Sequence, residues 1–290
     1  MTLNISAPAK VNLTLHVLRR REDGYHELST RMQKVDLCDR LELDVISSSG
    51  IEFSCSSENV PSDSTNLAVR AGQSYLDGCE RTAGKGLRIH LEKKIPVGAG
   101  LGGGSSDAAA VLNGANRLFG EPLSMNDLLE MGKGLGADVP FFISGHAAAV
   151  ATGIGDRLKE AASTDNVYYL LVNPGFVVST KWVYENYRLT NKSKNFRLCG
   201  SENVEGGLFD VNRLHNDLEQ VTLSRYPVLD EIKDFLTGTG AIGTLMSGSG
   251  PTVFGLFTER EGVAAARERL IEQYGKRNFR IFSVDAVGGA

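Results

Sequence analysis

Five of the seven residues from Gly98 to Gly104 are glycine. The stretch Pro96-Val97-Gly98-Ala99-Gly100-Leu101-Gly102-Gly103-Gly104-Ser105-Ser106-Asp107-Ala108-Ala109-Ala110 constrains the fold more than any other. A backbone without Cβ atoms takes positive φ without steric cost and can approach a ligand closely, but ordering it is entropically expensive. The alternating run Leu87-Arg88-Ile89-His90-Leu91 before it reads as a strand, and the alanine-rich sequence after it, to Phe119-Gly120, reads as a helix. Strand, glycine loop, helix is therefore the local order. Ser105 or Ser106 can cap a helix whose first amides and dipole favour an anion. The stretch reads as a phosphate cradle, with a plain glycine-rich loop as the alternative. Gly103 is expected to need positive φ, so that a branched side chain there opposes both the backbone and the phosphate.

Neither common phosphate motif fits. A Walker loop ends in Gly-Lys-Ser/Thr, and here Gly-Ser-Ser-Asp stands instead; a dinucleotide fingerprint needs a strand-end acid about 20 residues on, where this sequence reads as helix. The 290 residues, 41 % of them hydrophobic and 23 % charged, suit one large soluble domain or two ordinary ones. A net charge of -4 argues against a general binder of nucleic acid or anionic membrane. Cys38, Cys55, Cys79 and Cys199 form no Cys-x-x-Cys pair, and the start lacks a signal pattern, so a cytoplasmic protein with reduced thiols is expected. No apolar run approaches the ~20 residues of a membrane span. His16, His26, His90, His146 and His215 show no metal-ligand spacing, so a metal is expected to arrive with a nucleotide.

Along the chain, residues 11–18 alternate, with Val11, Leu13, Leu15 and Val17 on one face. Lys10 and Asn12 share the polar face, as a site would want and as a solvated edge strand would equally show. A charged turn closed by Asp23-Gly24 leads to Tyr25-His26. Leu41–Ile46 and Ile51–Cys55 read as strands with Ser47–Gly50 as the turn between them, and Asn66 opens a helix to about Gly78. Ser124 and Asp127 look like a helix cap. In Gly134-Leu135-Gly136-Ala137-Asp138-Val139-Pro140, proline biases Val139 away from helix, so Asp138 sits at a backbone break as either a cap or a working acid. A texture change after Gly155 suggests two domains, 1–155 and 156–290. The second holds a strand at Val167–Asn173, a short helix near Ser179–Tyr184 and an irregular, mobile connection over 190–212. Two helices follow, then Ser247-Gly248-Ser249-Gly250-Pro251-Thr252, which as a hairpin turn needs no ligand, a helix over 259–274 and a strand over 279–285.

Pro96–Ala110 resembles the central motif of the GHMP small-molecule kinases, the group that includes galactokinase, homoserine kinase and mevalonate kinase. The similarity covers nearly the whole chain and is densest at 6–28, 96–110, 134–146 and 237–252. Ala7-Pro8-Ala9-Lys10-Val11-Asn12-Leu13 together with Arg21-x-Asp-Gly-Tyr-His-x-Leu28 is similar to the branch that phosphorylates a cytidylated methylerythritol in the non-mevalonate isoprenoid pathway. The resemblance implies a two-domain α+β fold with a left-handed βαβ unit, against the usual handedness, and substrates in the cleft between domains. It implies that Asn66, Lys93, Pro96, Gly98, Gly100, Leu101, Gly102, Gly103, Gly104, Ser105 and Ser106 bind ATP, with Ser106 a contact for Mg2+. Asp138 and Lys10 are the implied catalytic pair, Asp138 taking a proton while Lys10 keeps it ionised and offsets phosphoryl charge. Asn12, Tyr25, His26, Thr180 and Tyr184 are the implied substrate contacts, the tyrosines stacking cytosine. Ser247–Phe254 resembles the motif that packs beside the loop. The glutamate that serves other members as a second magnesium ligand has no evident counterpart. Small-molecule partners and a monomer or homodimer complete the expectation. Another GHMP kinase has no reason to carry Asp-Gly-Tyr-His, a nicotinamide dehydrogenase needs the missing ribose acid, and a non-catalytic nucleotide-binding regulator need not keep both Lys10 and Asp138.

Overall fold

In the computed structural model, residues 2–188 and 209–288 are described. The chain divides into two compact units, each assembled from separated segments. The first comprises Met1–Ala9, Leu37–Val97 and Gly102–His146, the second Lys10–Asp36, Gly98–Leu101 and Ala147–Ala290. The strands β1 (Leu3–Arg20) and β2 (His26–Ile46) change unit along their length, and so does the glycine loop.

In the first unit, β3 (Gly50–Cys55), α1 (Leu67–Gly78) and β4 (Gly86–Glu92) form a βαβ unit, with β3 and β4 parallel from Gly50↔Gly86 to Cys55↔Leu91. On its other side β4 pairs antiparallel with β2, from Arg40↔Glu92 to Ile46↔Gly86. The turn at Ser47–Gly50 therefore does not make β2 and β3 neighbours, because β4 lies between them. Burial explains the order: Leu87, Ile89 and Leu91 of β4 are buried as a central strand requires, whereas β3 alternates half-buried and exposed residues as an edge does. Helices α1, α2 (Gly103–Leu118), α3 (Met125–Leu135) and α4 (Val139–Ile143) complete the unit. Asn66 caps α1 by accepting from Ala68 N, and Ser124 with Asp127 forms a full capping box on α3. Val139 is helical and opens α4 with Pro140 in its first turn, against the expectation that the proline keeps it out of helix, while Asp138 does sit at the break between α3 and α4, as the N-cap residue without a side-chain cap hydrogen bond.

In the second unit, β2 pairs antiparallel with β5 (Ala148–Gly153), which pairs with β6 (Arg157–Ala161). β1 pairs parallel with β8 (His215–Asn216) at Thr14 and Leu15. A separate antiparallel sheet runs β11 (Arg280–Asp285), β7 (Tyr168–Asn173), β10 (Val253–Phe257), β9 (Gly243–Met246). The helices α7 (Val228–Gly238) and α8 (Arg260–Tyr274) cover one face of it. Leu229, Ile232 and Leu236 of α7 and Val263, Ala266 and Leu270 of α8 share a core with Leu170, Val172, Val253 and Phe257. α5 (Thr180–Asn186) and α6 (Glu219–Arg225) precede them. Of the connection expected over 190–212, residues 190–208, Cys199 among them, lie outside the described residues; Val211–Arg213 form one 3-10 turn. Among the described residues Cys38, Cys55 and Cys79 form no disulfide, and no described helix is long and apolar enough to cross a membrane.

Candidate functional site

The polar face of β1 is not the solvated face that alternation alone allows. Lys10 and Asn12 are 4 % and 3 % exposed, nearly as buried as Val11 between them. Buried polar groups demand partners. Lys10 Nζ donates to Asn12 Oδ1 (2.5 Å) and to the Gly100 carbonyl (3.2 Å), while Asn12 Nδ2 donates to Thr30 Oγ1, which donates onward to the Thr14 carbonyl. Ser247 Oγ donates to the same Gly100 carbonyl (2.9 Å) and accepts from Asn12 N (3.3 Å). Backbone bonds from Lys10 N to Leu101 O and from Thr252 N to Ala99 O fasten the loop between β1 and the β9–β10 hairpin. Asn216 fixes that hairpin by donating to the Met246 and Gly248 carbonyls. Thr30 and Asn216 join this network without having been singled out in the sequence, whereas Ser247 belongs to the stretch read as packing beside the loop.

The loop's backbone is left-handed at Gly98, Gly100 and Gly102 (φ 61°, 76° and 71°). Gly103 corrects the sequence expectation: it lies at the start of α2 without positive φ, and what constrains it is space, since a Cβ there would lie 2.9 Å from Ile95 Cγ2 and 3.0 Å from Lys93 Nζ. Gly104, also helical, has ordinary room, 3.7 Å from Leu67 Cδ1. Leu67 follows Asn66, and Gly136, two residues before Asp138, would place a Cβ 3.9 Å from Ser105 Oγ. The first turn of α2, the start of α1 and the α3–α4 turn thus meet within the first unit. Asn66 serves as the cap, its Nδ2 donating to the Pro61 carbonyl.

Two polar atoms on consecutive residues of α2 stand out. Ser106, 1 % exposed, and Asp107, 3 % exposed, have an Oγ and an Oδ1 that are buried without a hydrogen-bond partner. An unpartnered buried hydroxyl at a helix start fits an absent ligand, and its chemistry, a hard oxygen beside N-terminal amides, suits a phosphate-bound Mg2+. Asp107 Oδ2 and Asp39 Oδ2 both hold Lys93 Nζ, so the lysine expected on ATP is committed to two carboxylates. Burial pushes the Asp107 carboxyl up to about 7, with Lys93 opposing and Asp39 adding to the rise. Burial works against the Lys93 ammonium too, but the two carboxylates outweigh it and hold its pKa above the usual lysine value.

Tyr25 is 63 % exposed, and His26 rather than Tyr25 faces Tyr184, with ring centroids 5.3 Å apart and Tyr187 edge-on at 6.5 Å. Burial and then Arg20 lower the His26 pKa, which favours the neutral imidazole. Thr180 Oγ1 lies 2.8 Å from Ser249 Oγ, joining α5 to the hairpin. Elsewhere in this unit His16, His215 and Asp217 bring ligand-type atoms within 4.8 Å of one another, a cluster invisible to linear spacing; His215 Nε2 pairs directly with Asp217 Oδ1 at 2.7 Å.

Comparison with known proteins places this geometry. Residues 66–146 match the GHMP kinases N terminal domain and residues 207–276 the GHMP kinases C terminal domain. The chain is 50 % identical over 281 residues to the 4-diphosphocytidyl-2-C-methyl-D-erythritol kinase of Syntrophotalea carbinolica, covering 96 % of this chain and 98 % of that one. It is 47 % identical over 285 residues to the enzyme of that name from Desulfotalea psychrophila, covering 98 % and 95 %. A crystal structure of 4-(cytidine 5'-diphospho)-2C-methyl-D-erythritol kinase superposes with a TM-score of 0.77 at 36 % identity, covering 98 % and 99 %. The homoserine kinase of Cytophaga hutchinsonii, at 21 % identity and a TM-score of 0.71 over 99 % and 95 %, shares the fold. With the loop, the hairpin and the two matched domains in agreement, this chain belongs to the GHMP kinases and, among them, to the 4-diphosphocytidyl-2-C-methyl-D-erythritol kinases.

Proposed function

We propose that this protein transfers the γ-phosphoryl group of ATP to the 2-hydroxyl of 4-(cytidine 5'-diphospho)-2-C-methyl-D-erythritol, giving ADP and the 2-phosphate in the non-mevalonate route to isoprenoid precursors. The observation that carries phosphoryl transfer is the buried, unpartnered Ser106 Oγ at the start of a helix whose entry is built from glycines at positive φ. The acceptor follows from the relatives' names and is supported by the aromatic pair of His26 and Tyr184.

Phosphoryl transfer asks for positioning and charge neutralisation more than for covalent chemistry. The amides of Gly100–Ser106 bind the phosphates, and Asn66, held by its cap bond, is the adenine contact. Ser106 Oγ would hold the Mg2+ that accompanies the nucleotide, whose chemistry is to neutralise phosphate charge. As the acceptor oxygen bonds to the γ-phosphorus and the bond to the β–γ bridging oxygen breaks, Asp138 takes the hydroxyl proton and ADP departs. Lys10, aimed by Asn12 and the Gly100 carbonyl, offsets charge on the transferred group. Asn12 and Thr180 orient the acceptor, and Tyr25, His26 and Tyr184 hold its cytosine. Soluble substrates of this kind suit the cytoplasm.

Asp138→Asn tests the reading. Calorimetry should find ATP and acceptor bound with near-normal affinity while kcat, followed by ADP release and by phosphorus NMR of the 2-phosphate, falls by about 10²–10⁴. Near-normal kcat overturns the assignment of Asp138, and no acceptor-dependent ADP release from the parent enzyme overturns the reaction.

A further inference from the structure

The glycine loop leaves β4 through Lys93-Lys94-Ile95-Pro96 and ends at α2, and both ends belong to the first unit. One buried cluster touches both. Lys93 Nζ lies 2.5 Å from Asp39 Oδ2 and 2.6 Å from Asp107 Oδ2, with the three side chains 7 %, 0 % and 4 % exposed. The second oxygen of Asp39 accepts from the backbone N–H groups of Lys94 (2.6 Å) and Ile95 (2.8 Å), the residues leading into the loop. On the exit side, Asp107 projects from the second turn of α2, and the ammonium lies 3.0 Å from where a Gly103 Cβ would stand. β2, the loop's entry and the helix at its exit are thus pinned to a single ammonium.

For stability alone, a buried group of two carboxylates and one ammonium is a poor solution, since apolar residues of similar volume generally do as well or better. What ions and hydrogen bonds add is fixed geometry. A loop with five glycines loses much entropy when it grips a phosphate, and fixing its ends beforehand lowers that loss.

We infer that Asp39, Lys93 and Asp107 form a clamp that presets the two ends of the glycine loop, making all three positioning residues for ATP, with Lys93 acting beneath the loop rather than as a phosphate ligand. The inference depends on the loop being the phosphate cradle.

Steady-state kinetics and ATP titration of Asp39→Asn, Lys93→Gln, their double variant and Lys93→Arg test it. The clamp predicts that each of the first two raises KM for ATP about tenfold, with kcat and the acceptor KM changed less than about twofold. The double variant should be no worse than the poorer single, because both remove one device, and Lys93→Arg should restore most of the affinity. Amide exchange at residues 98–102 should quicken in Asp39→Asn. If Lys93 grips phosphate directly, Asp39→Asn loosens the ammonium from its neighbour and leaves KM for ATP unchanged or lowered while Lys93→Gln raises it; that pattern overturns the clamp and spares the cradle. Should Asp39→Asn fail to fold, Asp107→Asn carries the same test, with raised KM for ATP expected and an unchanged value overturning the clamp. Unchanged ATP affinity in every one of these variants and also in Gly104→Ala instead removes the cradle itself.

Discussion

Replacing Gly100 by alanine tests the joint between the glycine loop and the β9–β10 hairpin. Gly100 has φ +76°, and a Cβ there would stand 2.1 Å from the Ser247 carbonyl oxygen and 3.1 Å from Gly250 N, backbone atoms that cannot swing aside as a side chain can. The left-handed conformation costs alanine about 1–2 kcal/mol. Relieving the clash moves the Gly100 carbonyl off two donors, Ser247 Oγ at 2.9 Å and Lys10 Nζ at 3.2 Å. The neutral bond is worth about 1 kcal/mol and the charged one about 1.5–3 kcal/mol. The sum, about 3.5–6 kcal/mol, corresponds to a fall in melting temperature of about 6–10 °C for a chain of this size. Gly104→Ala is the internal control: the site is helical, its Cβ would make an ordinary 3.7 Å contact with Leu67, and alanine there should stabilise by about 0.5–1 kcal/mol. Since no packing or backbone constraint calls for glycine at 104, the expected rise in KM for ATP in the stabilised Gly104→Ala protein isolates close approach of phosphate to the backbone. Differential scanning calorimetry with parallel ATP titrations reads both variants. A Gly100→Ala protein melting within about 2 °C of the parent refutes the joint, and a stabilised Gly104→Ala protein with unchanged ATP affinity refutes the approach.

Lys10→Ala should fold but lose kcat by about 10²-fold or more, with ATP affinity reduced far less; equal losses in both would make Lys10 a ground-state ligand only. Tyr25→Ala, at an exposed side chain, should raise KM for cytidylated and uridylated acceptors alike, whereas His26→Ala should narrow the gap between them, because stacking is blind to base identity and hydrogen bonds are not. A preference for cytosine left whole in His26→Ala refutes the base-reading role. For His215, the hydrogen bond to Asp217 outweighs burial and raises the pKa; for Asp217, burial is outweighed by the bonds from His215 and Val17 N, and the pKa is lowered. The His215 contribution to stability is present below about pH 6.5 and lost as pH rises through its raised value, and the Asp217 contribution is present above about pH 3.9 and lost below, so the pair acts fully between them. Asp217→Asn should accordingly lose more stability at about pH 5.5 than at about pH 8.5, and equal losses refute the coupling.

Local structure was legible wherever one physical rule acts within a few residues. Alternation marks β1 and β4, a short continuous apolar run marks β7, and the capping box of Ser124 and Asp127 opens α3 as the pattern requires. Strand order was not legible, because Ser47–Gly50 ends a strand without saying which strand pairs next; that depends on how completely β4 is buried, which only the packed unit decides. Nor could alternation distinguish an exposed polar face from a buried one. Lys10 and Asn12 are buried through partners on Thr30, Gly100 and Ser247, and Ser247 lies 147 residues from Gly100.

The glycine run illustrates the same boundary. Density alone says that backbone must come close to something, yet it assigns Gly103 a positive φ that belongs to Gly98, Gly100 and Gly102. The buried clamp, by contrast, left a readable trace. Asp39 shares strand parity with Leu41 and Leu43, opposite Arg40, Glu42 and Asp44, so an acid was written into a core position of β2. A carboxylate there must find a cation and backbone donors or be neutralised. Alternation could therefore have predicted that some lysine or arginine is buried against Asp39. It could not have chosen Lys93, because the choice is made by the pairing of β2 with β4, where Arg40 stands opposite Glu92 and the next residue of the chain turns its ammonium inward beneath α2.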